Sequence, residues 1–323
     1  MEKITFKNSD LEMSRLIYGC MTLSSWDKNP ISDSEIKNAE NIINVNLENG
    51  INSFDHADIY CFGKSELVFG EILKNQSNLR DIIIIQSKCG IRFQDDPEPG
   101  LPGRYDFSYD YIISSTENIL KRLNTDYLDI LLLHRPDSLM EPEEVSKAFD
   151  VLQKSGKVKY FGVSNFNKEQ IEFLQKYLDQ KILINQIEFN LLHSGLINDG
   201  VIANINSGNN SNVAGLLDYC RLNEIQIQAY SPLAKGLFSR LPEGQEEKIY
   251  RTADYLKELC SKYKLPEEAI LLAWISRHPA KIQSVVGTGN IERIKNCILS
   301  EKINLTREEW YKLFVLARGE VLP

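Results

Sequence analysis

Along the chain, short apolar runs alternate with longer stretches in which apolar residues recur every three or four positions. The short runs are "RLIYGCM" (15–21), "INSFD" (51–55), "IIIIQSK" (82–88), "YLDILLLH" (127–134), "KYFGVSN" (159–165), "ILINQIEF" (182–189), "IQIQAYS" (225–231) and "IQSVVGT" (282–288). Their β-branched composition and length predict strands, several of them apolar on both faces. The intervening stretches predict amphipathic helices. "SDSEIKNAENIINVNLENG" opens on an N-cap-like Ser/Asp and closes on Gly50. "SELVFGEILKN", "SYDYIISSTENILKRLN", "EPEEVSKAFDVLQKSGK", "NKEQIEFLQKYLDQ", "VAGLLDYCRLN", "YRTADYLKELCSKY", "PEEAILLAWISRH" and "NIERIKNCIL" continue the series.

Strands that alternate with helices predict a parallel sheet covered by helices. Eight such units between residues 15 and 299 predict a closed (β/α)8 TIM barrel rather than an open doubly wound sheet. No linker or repeat divides the chain, so residues 1–323 read as one domain. Three segments rich in Gly, Pro, Asn or Asp interrupt the rhythm: 93–107, 193–213 and 234–248. Each follows a strand and precedes a helix, which puts long βα loops at the C-terminal rim, where barrels bind ligands. Within the second, "INSGNNSN" reads equally as a rim loop or as an inserted polar segment.

The polar residues that end apolar strands carry the chemistry. Asp55, Lys88 and His134 each close a predicted strand, and Tyr60 lies just beyond the first of them. A closed barrel would bring all four to one mouth. A buried phenol has a pKa near 10 or above. A lysine ammonium beside it favours ionisation, and an aspartate beside the lysine keeps the ammonium charged. A neutral imidazole could orient a substrate oxygen. The set suits an acid that protonates an oxygen, and it contains no base-activated nucleophile for acyl transfer.

Composition narrows the partners. A net charge of −8 provides no global positive field for nucleic acid or an anionic membrane, although a local basic pocket for one small anion stays open. The longest apolar runs are too short to span a bilayer. The N-terminal segment lacks the apolar core of a secretion signal, and the six cysteines form no C-x-x-C pair. A cytoplasmic protein with reduced thiols, acting on a small molecule, is expected.

The ordered segments "DHADIYCFGKSE", the "SK" that ends the third strand, "LLLHRPD", "GKVKYFGVSNF", "NQIEFN" and "AYSPLAKG" resemble the aldo-keto reductase family, from "RLIYGCMTL" to "VVGTGNIERI". The resemblance implies a (β/α)8 barrel that binds NADPH/NADP+ without a Rossmann domain and transfers hydride to aldehydes and ketones. It assigns Tyr60 as proton donor, Lys88 as the group that lowers its pKa, Asp55 as the partner of the lysine, and His134 as orienter of the carbonyl. Ser164, Asn165 and Gln186 match positions that hold the nicotinamide carboxamide, and Tyr230 matches the aromatic residue that stacks on the ring. Ser231, Leu233 and Gly236 match the pyrophosphate loop, and Thr288 and Arg293 the contacts to the adenosine 2′-phosphate. Cys20 and Met21 would border the cofactor, and Trp26 the substrate. A monomer is common among proteins of this kind. The chain departs from the family at Gly287, where a lysine is frequent, and at Asn296 and Cys297, where a Glu-Asn pair is usual.

Other polar residues read as scaffold. His56 is expected to hydrogen-bond locally and Asp58 to brace its loop. Arg135 and Asp137 are expected as an exposed or capping pair, and His193 and His278 as solvated. Cys61, Cys89, Tyr219, Tyr255 and Trp274 are expected in packing roles. A metal-dependent hydrolase, raised by "DHAD", lacks the histidines such sites need, with four in the chain and no H-x-H. A cofactor-binding redox sensor with little turnover is the remaining rival.

Overall fold

The computed structural model describes residues 1–203 and 213–323. The "INSGNNSN" segment lies outside the described residues, so neither reading of it is decided. All eight predicted strands form, and they close into one parallel barrel in chain order. The described strands are β1 (Lys3–Thr5), β2 (Glu12–Ser14), β3 (Leu16–Gly19), β4 (Ser53–Asp55), β5 (Ile84–Cys89), β6 (Ile91–Arg92), β7 (Arg104–Tyr105), β8 (Leu128–Leu133), β9 (Val158–Ser164), β10 (Ile182–Glu188), β11 (Gln226–Tyr230) and β12 (Gln283–Val286). The barrel runs β3-β4-β5-β8-β9-β10-β11-β12 and closes β12 on β3. Its register sets Asp55 beside Gln86, Lys88 beside Leu132, and Gln186 between Ser164 and Gln228.

Two elements lie outside the predicted series. The N-terminal residues form the hairpin β1–β2, whose Ile4, Phe6, Leu11 and Met13 pack with Ile17, Ile130, Leu132 and Ile184 inside the barrel. A hairpin over the barrel end buries apolar side chains that the strands alone would leave exposed. Around the 93–107 loop, β6 just before it pairs antiparallel with β7 inside it.

The helices are α1 (Asp33–Glu48), α2 (Lys64–Asn75), α3 (Tyr109–Leu123), α4 (Pro142–Lys154), α5 (Lys168–Gln175), α6 (Gly195–Val201), α7 (Leu216–Leu222), α8 (Glu247–Tyr263), α9 (Glu267–Ser276), α10 (Ile291–Ile298) and α11 (Arg307–Arg318). Ser32 and Glu35 form a capping box on α1, and Gly50 follows the helix with φ +79°. Helix α6 corrects the reading of 193–213 as loop throughout. Its Leu196 is buried, and Ile197 and Val201 pack on the core, an apolar spacing hidden among Gly and Asn. Helix α11 also falls beyond the predicted helices. It starts at a Thr306/Glu309 capping box and buries Trp310 and Phe314 against Trp274. Gly162 of β9 is required by close approach, since a Cβ there would lie 2.6 Å from Leu132 Cδ2 and 2.9 Å from the Ile184 carbonyl oxygen.

Candidate active site

Asp55 ends β4, Lys88 lies one residue from the end of β5, and His134 directly follows β8. Parallel pairing of these strands delivers the three side chains to one mouth. The Lys88 ammonium is fully buried, and each of its three N–H donors has a partner: Asp55 Oδ1 at 2.6 Å, the His56 carbonyl at 2.9 Å and Tyr60 Oη at 3.1 Å. Burial alone disfavours the charge on Lys88, but Asp55 and Tyr60 outweigh it and hold the pKa above the ordinary lysine value. Burial pushes the Tyr60 phenol up to about 12, with Lys88 pulling against that shift. His134 is kept far below the usual histidine pKa by burial and by the Lys88 and Arg135 charges, so its imidazole is neutral.

Behind Asp55 lies a layer of buried glutamines, of which the sequence reading singled out Gln186 alone, and for a different role. Gln86 Nε2 donates to Asp55 Oδ1 at 2.6 Å, and Gln186 Nε2 donates to the same oxygen at 3.0 Å. Gln86, Gln186, Gln228 and Gln283 are linked to one another by hydrogen bonds across the barrel interior. Inward-facing amides in otherwise apolar strands ("IQSK", "IQIQAY", "IQSVV") are the signal that could have found them.

Tyr60 opens a turn in which Cys61 (φ +52°), Phe62 (φ +57°) and Gly63 (φ +85°) are all left-handed. Two non-glycine residues in that region store backbone strain, so the surroundings must hold the turn. The Cys61 thiol lies 3.1 Å from the carbonyl oxygens of Met21 and Ser24, and the Phe62 ring packs on Trp26 and Phe93. Lys64 reaches Asp27 at 2.8 Å.

Of the neighbours in "DHAD", His56 departs from expectation, whereas Asp58 accepts from the Ile59 amide and braces its loop as expected. His56 is fully buried against Phe69, and among the described residues neither ring nitrogen has a partner, so it makes no local hydrogen bond there. Burial and the Lys88 charge lower its pKa to about 3. Asp58 accepts from Ser115 Oγ at 2.8 Å, and burial with the nearby Glu66 pushes its carboxyl up to about 7. Cys89 is buried in the core, as are Cys61 and Trp274. His193 is exposed, whereas His278 is half-buried, with Nδ1 accepting from the Ala280 amide at 3.2 Å.

A cavity of about 520 Å³ opens above Tyr60 and His134. Met21, Ser164, Asn165, Gln186 and Tyr230 line it, and so do Ser231, Leu233, Gly236, Thr288 and Arg293. Tyr230 Oη donates to Asn165 Oδ1 at 2.9 Å, and Asn165 Nδ2 donates to the His134 carbonyl at 3.2 Å, tying three strand ends together. Two predicted residues are not brought to this cavity. The Cys20 side chain is fully buried beneath the rim with its thiol toward the Tyr18 carbonyl, because the short 3₁₀ turn over Cys20–Thr22 points it inward. Trp26 is 50% exposed on a ridge with Phe62 and Phe93, outside the cavity lining. Residues that the sequence reading missed take part instead: Arg135, Lys235, Glu267 and Glu268 line the cavity. Arg135 is half-buried in the cavity wall rather than exposed, while Asp137 accepts from the Phe107 and Leu139 amides. Arg293 Nε lies 3.8 Å from Glu268 Oε1.

A sequence model described as the Aldo/keto reductase family matches residues 15–314. The chain is 35% identical over 315 residues to the uncharacterised oxidoreductase YcsN of Bacillus subtilis, covering 97% of both proteins. It is 34% identical over 322 residues to the 6-dehydroglucose reductase of Agrobacterium fabrum, covering 99% of both. Among solved structures it is similar to an aldo-keto reductase of Bacillus halodurans in its holo form, with a TM-score of 0.76 and 27% identity over 99% of this chain and 98% of that one.

Proposed function

The chain belongs to the aldo/keto reductase family, and we propose that it is an NADPH-dependent reductase that converts an aldehyde or ketone to the alcohol, with Tyr60 as proton donor. The observation that carries this reading is the buried Lys88 ammonium, whose three donors are spent on Asp55, the His56 carbonyl and the Tyr60 oxygen. A proton donor must be protonated at working pH and must yield its proton to a nascent alkoxide. Burial keeps the Tyr60 phenol protonated, while Lys88 stabilises the phenolate left after transfer. Asp55 holds the ammonium in place, and the glutamines hold Asp55. The neutral His134 imidazole is available to hydrogen-bond the carbonyl oxygen beside Tyr60, the two rings lying 6.2 Å apart between centroids.

The cavity residues fit an extended nicotinamide dinucleotide. The half-buried Tyr230 ring offers a stacking face, and Asn165 and Gln186 offer amide groups. The turn from Ser231 to Gly236 and the cations Lys235 and Arg293 suit phosphates. When bound, NADPH supplies the hydride for the carbonyl carbon. Arg293 favours the 2′-phosphate form, although Glu267 and Glu268 line the same cavity. Six unpaired cysteines support the reading of a cytoplasmic enzyme.

The reading is tested by following NADPH oxidation with a panel of aldehydes, ketones and diketones. Turnover by the wild type, lost in Tyr60→Phe with NADPH binding retained, is the expected result. A wild type that binds NADPH and reduces no member of the panel would leave the redox-sensor reading in its place.

A further inference from the structure

Arg135 directly follows His134 and lines the same cavity as Tyr60, His134, Met21 and Tyr230. It is half-buried, and among the described residues no carboxylate forms an ion pair with it. Among those residues its one side-chain hydrogen bond is a long one, from Nη2 to Tyr230 Oη at 3.4 Å. A guanidinium has five donors in a planar fork, so most of this one's capacity is unspent. A partly desolvated and uncompensated cation is costly unless an anion meets it there.

The phosphates of a dinucleotide do not supply that anion. The cations suited to them form a separate group, with Arg293 standing against Gly236 and Glu268. Arg135 instead touches Tyr230, whose hydroxyl leads through Asn165 to the His134 carbonyl, at the reacting end of the cavity. A nicotinamide ring carries no negative charge to satisfy it. The missing anion therefore belongs to the substrate.

We propose that Arg135 is a substrate-binding residue and that the carbonyl compounds this enzyme reduces best carry a carboxylate, gripped by the Arg135 fork while His134 and Tyr60 engage the carbonyl. The inference rests on the carbonyl-reductase reading above. One NADPH and one proton are consumed per alcohol formed: hydride adds to the carbonyl carbon, the Tyr60 proton goes to the oxygen, and the carboxylate is unchanged.

The test compares 4-carboxybenzaldehyde with benzaldehyde in the full-length protein. Wild type is expected to favour the carboxylate by about 10-fold or more in kcat/KM. That ratio is expected to fall about 10- to 100-fold in Arg135→Leu and to recover in part in Arg135→Lys, with the change mainly in KM. Calorimetry gives a readout without turnover: the NADPH-loaded protein should bind 4-carboxybenzyl alcohol more tightly than benzyl alcohol, and Arg135→Leu should erase the difference. A wild-type ratio near one, or a ratio unmoved in Arg135→Leu, overturns the proposal. Equal losses for both aldehydes with weakened NADPH binding would make Arg135 a positioning residue for Tyr230 and would overturn it too. If Arg135→Leu fails to fold, Arg135→Gln and the wild-type ratio decide. If neither aldehyde is reduced, the reductase reading fails, and the calorimetric comparison alone decides the inference.

Discussion

Lys88 Nζ lies 3.1 Å from Tyr60 Oη, the lysine fully buried and the half-buried tyrosine lining the cavity. The contact joins phenol and cation, so the two residues predict each other's behaviour.

The proposed reduction calls for a protonated Tyr60 phenol. Burial pushes Tyr60 up to about 12, so the proton is held through the neutral range, and activity is lost only as pH rises toward that value. Lys88→Met removes the group that pulls the phenol down. It should slow turnover by about 10² or more and move the alkaline limb of the kcat profile to higher pH. A limb that moves to lower pH would refute the assigned role of Lys88.

The same substitution has a stability cost. Lys88→Met strips Asp55 of its buried counter-ion and should destabilise the fold by about 3–5 kcal/mol in urea titrations. Asp55→Asn added to Lys88→Met should recover part of that loss, because no buried charge is then left unpaired. A double variant less stable than the single one would argue against a charge-pair origin.

His56 predicts acid lability. Its folded pKa is lowered to about 3, against an ordinary value of about 6.5 for the unfolded chain. Below about pH 6.5 the unfolded state takes up a proton that the folded state refuses, so stability present above that pH falls as pH drops toward 3. The slope from this one group is at most about 1.4 kcal/mol per pH unit. His56→Phe, which keeps a ring against Phe69, should shrink the difference in unfolding free energy between pH 7 and pH 5. An unchanged difference would assign the acid sensitivity elsewhere.

In the proposed reading, cofactor choice turns on Arg293. Arg293→Ala should weaken NADPH binding by about 1.5–3 kcal/mol and NADH binding much less. Because Glu267 and Glu268 line the same cavity, Glu268→Gln should strengthen NADPH binding by releasing Arg293 and removing a like charge from the phosphate. Fluorescence titration of both cofactors reads both effects, and equal losses for NADPH and NADH in Arg293→Ala would place the 2′-phosphate away from Arg293.

The strand-and-helix alternation is legible because burial on both faces leaves its mark on every residue of a short run, as in "ILLL" before His134. A lysine or histidine at the end of such a run has no solvated alternative, so Lys88 and His134 stand out from the sequence alone. The hairpin β1–β2 and the helices α6 and α11 are less legible. Their apolar residues are few and interrupted, and they gain their place from surfaces that exist only once the barrel is closed.

What the chain determined by itself is thus the barrel, its eight strands and the polar groups at their tips, since local periodicity and the cost of burying polar groups act on each segment alone. What tertiary structure decided is direction: that Cys20 turns inward and Trp26 outward, that among the described residues His56 finds no hydrogen-bond partner and Arg135 enters the cavity without a carboxylate, and that four glutamines join beneath Asp55. At a barrel rim the side-chain direction follows from closure and from loops folding over the mouth, and those forces join residues a hundred positions apart.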